Sequence, residues 1–183
     1  IPNTPGSLWV PWAEKAEASG FTSLSTIGRT VFDSHEELVV LAAAAAVTRS
    51  LRLVSTVMIG PPRENVLLAK QAATLQNLSQ GRMELAHFAA VDAAAPGKKP
   101  ENWTSRFFAL GDVEAQVAAN VRAYYSAGGE DFVQASYQAV LRTPEAIRRY
   151  VDEMRQTGAR ELCLWPQVHD LDQVERLAEV VFS

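Results

Sequence analysis

The chain has 183 residues, a length typical of one domain, and its hydrophobic fraction of 48% excludes a disordered or low-complexity protein. Its net charge of −4, without a cluster of lysine and arginine, gives no reason to expect nucleic acid or an anionic membrane surface as a partner. The single cysteine rules out an internal disulfide. Because no secretory pattern or membrane-spanning run is found, the sequence predicts a cytoplasmic protein.

Helices and strands alternate through the first half of the sequence. The predicted segments are a helix over 7–20, a strand over 21–26, a helix over 34–48, a strand over 51–59, a helix over 64–78 and a strand over 82–88. Ser34 and Glu37 have the spacing of a capping box, with Ser34 as the N-cap. The alternation with short loops predicts βα units and a parallel sheet.

The alternation is interrupted at residues 89–102, whose alanine, proline, glycine and lysine content is typical of a loop or linker. The segments predicted after it are a strand over 103–110, helices over 112–127, 131–140 and 144–157, a strand over 161–165 and a helix over 171–181. Asp112, Thr143 and Asp170 are the predicted helix caps, with Gln173 completing a weaker capping box. The second half therefore returns to the same βα pattern.

The sequence contains no P-loop, GxGxxG, HExxH, CxxC or GxSxG motif, so it identifies no catalytic motif and predicts no metal site. Candidate site residues follow instead from geometry, because ligands of parallel α/β proteins bind at the carboxyl ends of the strands. This argument selects as candidate site residues Arg29, Thr56, Val57, Met58, His87 and Trp165, together with the neighbouring strand-end positions Thr26, Ile27, Leu110, Gly111 and Gln167.

A structural interpretation stays open for three of these residues. Arg29 could bind an anionic ligand or pair with Asp33 and Glu36 at the surface. Trp165 could form a platform for a cofactor or pack at the rim of a barrel. His87 could line a functional pocket or be a hydrogen-bonded histidine of the core or rim.

Seven motifs follow one another with spacing that resembles the bacterial luciferase-like family, whose members are flavin- and deazaflavin (F420)-dependent monooxygenases and oxidoreductases. The motifs are EASGFTSL at 17–24, LAAAAAVT at 41–48, LRL at 51–53, LAKQAATL at 68–75 with LSQGR at 78–82, FALG at 108–111, TPE at 143–145, and 158–166 with the following helix. The most specific resemblance is that of 68–82.

The resemblance implies a TIM-type (β/α)₈ barrel with the cofactor at the carboxyl ends of its strands. Residues 1–183 would form one luciferase-like domain with a seam or deletion at about 89–102. Counterparts of strands 2, 3, 4, 7 and 8 and a stub of strand 1 are present, whereas strands 5 and 6 with their helices have none. We therefore expect an incomplete barrel, either through a natural deletion or because segments are missing from the sequence, since such barrels usually need about 250 residues.

The same resemblance implies an FMN- or F420-dependent oxidoreductase or monooxygenase that acts on a small organic substrate, most simply as a homodimer. The residues that would bind the cofactor are Arg29, Thr56, Val57, Met58 and Trp165. A cis peptide bond between non-proline residues often lies at the matching strand end, near Thr56 and Val57. His87 would donate a proton or a hydrogen bond to the substrate or cofactor.

Departures from the family pattern keep other functions open. His87 and Phe88 occupy positions where the family usually has small residues, and the absent strands normally supply a phosphate contact. A cofactor-free member could serve as a non-catalytic partner subunit or as the structural half of a dimer, because an open barrel exposes strand edges that a partner would have to cover. A reuse of the scaffold without a cofactor is a third possibility, although the sequence offers no pair of nucleophile and base for it.

Overall fold

The computed structural model describes residues 4–29, 32–59, 63–85, 103–159 and 161–183. The chain divides into two compact units, one formed by Thr4–Pro100 and the other by Ile1–Asn3 with Glu101–Ser183. Each unit contains a parallel sheet, as the alternation of helices and strands predicts. The prediction of a single domain stays a prediction, and each unit is described by itself.

The Thr4–Pro100 unit, here the N-terminal unit, has three helices and three strands among its described residues. They are α1 Trp9–Ala18, β1 Ser23–Thr26, α2 Glu37–Val47, β2 Arg52–Ser55, α3 Asn65–Leu78 and β3 Met83–Leu85, with a short 3-10 turn at Gly6–Leu8 before α1. The strands lie in the order β1-β2-β3 and all run parallel.

Apolar side chains at matching register form the core of the N-terminal unit. Leu24 lies opposite Leu53 across β1 and β2, and Leu53 lies opposite Met83 across β2 and β3. Residues that are paired in register on neighbouring strands point to the same side of the pleated sheet, so these three side chains share one face. They pack against α2, where Leu41 is fully buried, and the alanines of that helix allow a close approach.

Arg82 has a structural environment at the end of α2 and the start of β3. Its guanidinium donates five hydrogen bonds of 2.8 to 3.1 Å, to the carbonyl oxygens of Ser79, Leu51, Ala45 and Thr48 and to the Thr48 hydroxyl. The carbonyls of Ala45 and Thr48 belong to the end of α2, where a cation is favoured by the helix dipole. Arg82 therefore joins the end of α2 to the start of β3.

The predicted capping box of α2 is wrong. The helix begins at Glu37, and its N-cap is Glu36, whose carboxylate accepts a hydrogen bond of 2.8 Å from the Val39 amide. Glu37 cannot turn back to cap the helix because its carboxylate is buried and paired with Arg63. The predicted strand over 51–59 is also too long, since β2 ends at Ser55.

The second unit, here the C-terminal unit, contains two strands and four helices among its described residues. They are β4 Trp103–Phe108, α4 Glu114–Tyr125, α5 Glu130–Gln138, α6 Pro144–Gln156, β5 Glu161–Pro166 and α7 Asp172–Val181. The strands pair in parallel along their whole length, and Leu141 adds an isolated parallel bridge beside Phe108.

One of the three helix caps predicted for this unit is confirmed, and a second is confirmed in part. The Thr143 hydroxyl accepts a hydrogen bond of 3.1 Å from the Ala146 amide at the start of α6. The residues directly before α4 and α7 are Val113 and Leu171, neither with a capping side chain, but the Asp170 carboxylate accepts a hydrogen bond of 3.0 Å from the Asp172 amide at the start of α7. Gln173 has no capping role because its amide is fully buried and exchanges two hydrogen bonds of 2.8 Å with the backbone of Leu110.

The predicted seam at 89–102 and the end of the strand predicted over 82–88 lie outside the described residues. The incompleteness of the barrel therefore stays a prediction. Within the described ranges, no helix is both long and apolar enough to cross a membrane.

Candidate functional site

The carboxyl ends of β1 and β2 lie side by side and continue to pair beyond the strands. Thr26 lies opposite Ser55, the Thr56 amide donates to the Thr26 carbonyl at 2.7 Å, and the Gly28 amide donates to the Val57 carbonyl at 3.0 Å. The segments 27–29 and 56–59, here called the strand-end segments, are thus held next to each other. This edge of a parallel sheet is where ligands of such folds bind.

Four of the predicted site residues lie on the strand-end segments. Arg29 is on one of them, and Thr56, Val57 and Met58 are on the other. The peptide bond between Thr56 and Val57 is cis, at the position that the resemblance implies. The Met58 side chain packs against the core of the N-terminal unit, so it anchors its segment to the hydrophobic interior.

Arg29 places a positive charge at this edge of the sheet. Its guanidinium lies over the Phe32 ring, 5.4 Å from the ring centroid, and the residue is half-buried. A cation held against an aromatic face in a partly desolvated position suits an anionic group such as a phosphate. Glu36, one of its predicted surface partners, binds Arg63 instead.

An ion-pair cluster next to these segments was not predicted. The Arg63 guanidinium donates to Glu37 Oε1 at 2.7 Å, to Glu36 Oε1 at 2.8 Å and to the Ile59 carbonyl at 3.2 Å. Burial opposes the charge of Arg63, but the hydrogen bonds and negative charges of Glu36 and Glu37 outweigh it and raise the pKa of the guanidinium. Arg63 therefore stays charged.

Glu37 also explains the glycine at position 28. A Cβ atom at Gly28 would lie 2.5 Å from Glu37 Oε1, closer than any van der Waals contact permits. The backbone after β1 thus runs directly against the buried carboxylate. A sequence signal for this arrangement existed: Glu37 stands one helical turn before the buried Leu41, on the same face of α2.

Two buried hydroxyl groups complete this edge. Thr26 Oγ1 and Ser55 Oγ, at paired positions of β1 and β2, have no hydrogen-bond partner among the residues that the structure describes. Buried hydroxyls are normally satisfied by protein, water or ligand. Both hydroxyl groups lie two residues after Leu24 and Leu53 and so on the same face of the sheet as α2. The Arg29 cation and the half-buried Val57 give the edge both polar and apolar character, which fits a cofactor that combines a flat ring system with an anionic tail.

The remaining predicted site residues do not belong to the strand-end segments. Trp165 lies near the end of β5 in the C-terminal unit, where it is half-buried and opposite Phe107 of β4. His87 lies outside the described residues. In the described parts of the chain, no group of three or more His, Cys, Asp or Glu side chains could hold a metal ion.

The fold defines an α/β protein with parallel strands, and in such folds ligands bind at the carboxyl ends of the strands. Residues 9–86 match the model of the family "Luciferase-like monooxygenase", a span that runs from α1 through β3. The predicted resemblance to the luciferase-like family is thereby confirmed for this part of the chain. A comparison with curated proteins found no match.

Solved structures share the fold over nearly the whole chain. Monooxygenase RslO1 from Streptomyces bottropensis is similar with a TM-score of 0.71 and 17% identity, covering 96% of this chain and 92% of the other. An F420-dependent secondary alcohol dehydrogenase in complex with an F420-acetone adduct gives 0.67 and 10% identity, with 94% and 93% covered. The coenzyme F420-dependent tetrahydromethanopterin reductase from Methanopyrus kandleri gives 0.67 and 11% identity, with 99% and 96% covered. At such identities the likeness shows the fold alone.

Proposed function

We propose that this chain is a flavin- or F420-dependent oxidoreductase of the luciferase-like type that acts on a small organic substrate. The observation that carries the proposal is the clustering of Arg29 with Thr56, Val57 and Met58 at adjacent strand ends. All four residues lie inside the span that matches the family. The known F420-dependent enzymes with this fold add support for the cofactor class.

Arg29 would bind the phosphate of FMN or F420, since a guanidinium forms charge-assisted hydrogen bonds with phosphate oxygens. The backbone of Thr56 and Val57 would lie along the ring system, whereas a role for Trp165 in cofactor binding stays a prediction from the sequence. When bound, a reduced flavin or deazaflavin supplies the hydride or electrons for the reaction. The protein supplies binding, orientation and exclusion of water.

His87 would serve as the proton donor. A histidine titrates near neutral pH and can give a proton to a substrate oxygen. This role stays a proposal that rests on the position of His87 after a predicted strand.

Titration with FMN and with F420, followed by fluorescence, tests the proposal. We expect wild-type protein to bind at least one of them, and we expect Arg29→Met to raise the Kd about tenfold through the loss of a charge-assisted hydrogen bond. Arg49→Met is the matched control, because Arg49 is an exposed arginine of the same unit that lies beyond the other end of α2, before β2.

Absence of binding to either cofactor at high micromolar concentration would contradict the proposal. This result would favour the alternative that the chain is a cofactor-free, non-catalytic partner subunit. If Arg29→Met and Arg49→Met lost the same amount of cofactor affinity, the affinity would depend only on the overall charge of the protein.

A further inference from the structure

Arg63 donates hydrogen bonds to three groups on two stretches of the chain next to the strand-end segments. Its Nε donates to the Ile59 carbonyl, which ends the segment after β2. Its Nη1 donates to Glu36, the N-cap of α2, and its Nη2 donates to Glu37 in the first turn. One side chain thus ties the end of one strand-end segment to the helix that follows the other.

The contact path continues from Glu37 to the second strand-end segment. The Glu37 side chain is 3% exposed and lies against Gly28, where there is no room for a Cβ atom. The Gly28 amide in turn donates to the Val57 carbonyl at 3.0 Å. Arg63 is therefore connected to Val57 by two routes. One runs through Ile59, which lies on the same strand-end segment as Val57, and the other runs through Glu37 and Gly28.

We infer that Arg63 is a positioning residue that, through Glu37, holds the two strand-end segments in the arrangement that the cofactor edge requires. The part that concerns the cofactor rests on the proposed function, whereas the positioning of the segments does not. Arg63 makes no direct contact with the ligand in this role.

Lysine cannot replace arginine here. The planar guanidinium directs donors along three directions at once, to two carboxylates and one carbonyl, and an ammonium group on a flexible stem has no such fork. A lysine at position 63 would keep the charge that Glu37 needs but would release at least one of the three contacts. Arg63→Lys is therefore a mild test that keeps the buried carboxylate paired, and Arg63→Met is the severe one.

Amide hydrogen exchange with residue resolution tests the positioning directly. We expect Arg63→Lys and Arg63→Met to speed exchange of the Gly28 and Thr56 amides about tenfold or more relative to the amides of α2. The Arg52 amide, which donates to the Thr22 carbonyl at the opposite end of β2, should keep its rate.

Arg82→Met is the matched control because Arg82 is also a half-buried arginine with several hydrogen bonds in the same unit, at the other end of α2. It should lower the midpoint of thermal unfolding as Arg63→Met does, without selective exchange at Gly28 and Thr56. The inference would be overturned if the Gly28 and Thr56 amides exchanged at the same rate in wild type and in both Arg63 variants. It would also be overturned if Arg82→Met raised these two exchange rates as much as Arg63→Met does.

Titration of the same variants with FMN and F420 gives the functional readout. We expect Arg63→Lys to raise the cofactor Kd about tenfold and Arg82→Met to leave it unchanged. Guanidinium ion at low millimolar concentration should partly restore the affinity of Arg63→Ala. If exchange at Gly28 and Thr56 is faster in the Arg63 variants but the wild type binds neither cofactor, the positioning role is upheld and the proposed function is refuted. Unchanged exchange with intact cofactor binding would refute the positioning role alone.

Discussion

At the scale of single residues, Gly28 is the position where the candidate site is most sensitive to one atom. Its hydrogen would be replaced in Gly28→Ala by a methyl group 2.5 Å from Glu37 Oε1. Glu37 cannot move aside freely, because Arg63 and the burial of its carboxylate fix it. The clash is therefore relieved only by a shift of the backbone after β1 or by the loss of the ion pair.

We expect Gly28→Ala to lower the free energy of unfolding by about 1–3 kcal/mol, the usual cost of overpacking a filled site. Urea denaturation monitored by far-UV circular dichroism measures it. Gly6→Ala is the control, because a Cβ atom there would meet the His35 ring at an ordinary contact distance of 3.6 Å. A loss of the same size in both variants would show that the conformational freedom of glycine matters and that the contact with Glu37 does not.

The sequence allowed the prediction of these residues only where a local pattern exists. Arg29, Thr56, Val57 and Met58 follow from the position of strand ends, and the structure brings them together. The pair of Arg63 with Glu37 joins residues 26 positions apart, so no local spacing reveals it. The sequence indicates this pair only through the position of Glu37, a charged residue on the buried face of α2.

At the scale of secondary-structure elements, Glu17 connects α1 to the turn between α2 and β2. Its carboxylate accepts hydrogen bonds from the amides of Ser50, Arg49 and Leu51 at 2.6, 2.8 and 3.1 Å, and from the Ser50 hydroxyl at 2.8 Å. The Ser50 amide is the largest influence, and together these donors lower the pKa of Glu17 from its ordinary value of 4.5 to about 2. The ionised carboxylate holds three consecutive amides.

A lowered pKa in the folded state means that the folded protein binds the Glu17 proton less tightly than the unfolded chain does. The stabilisation by Glu17 is therefore fully present above about pH 4.5 and is lost as the pH falls towards 2. We expect Glu17→Gln to reduce the free energy of unfolding at pH 7 by about 1–2 kcal/mol and to flatten its decline between these pH values.

Urea denaturation at a series of pH values checks this expectation, with Glu14→Gln as the control because Glu14 is exposed on the same helix. If the free energy of unfolding changed with pH in the same way in wild type and in Glu17→Gln, this would contradict the assigned role of the carboxylate.

Among the elements, helix bodies could be predicted better than helix starts. The spacing of apolar residues placed all seven helices that the structure describes. The Thr143 cap was predicted correctly because the hydroxyl has only local partners. The capping boxes at Ser34 and Asp170 are not completed, because tertiary contacts occupy their last residues: Glu37 binds Arg63, and Gln173 binds Leu110. The Asp170 carboxylate still accepts a hydrogen bond from the Asp172 amide.

At the scale of the whole molecule, the βα alternation and the motif order were sufficient to predict the fold class and the family resemblance. The family match covers residues 9–86, and the structural neighbours extend over both units. The length argument for an incomplete barrel depends on residues 86–102, which the structure does not describe. The proposed role of His87 depends on the same stretch of the chain.

The surface of the N-terminal unit bears on the expected homodimer. Large apolar side chains on α2 and α3 are exposed: Val39 by 67%, Val66 by 76%, Leu67 by 57% and Leu78 by 63%. Exposed apolar side chains favour association in water, and a second copy of the chain offers the same side chains by two-fold symmetry.

We therefore expect light scattering after size exclusion to give twice the chain mass of 20.0 kDa. Val66→Glu combined with Leu67→Glu should shift the protein to monomer, because a charge buried in such an interface is costly. Phe182→Glu is the control, since Phe182 is also exposed, by 55%, but lies at the end of the C-terminal unit. A wild-type monomer would contradict the homodimer, and a dimer that survives the double substitution would place its interface away from the start of α3.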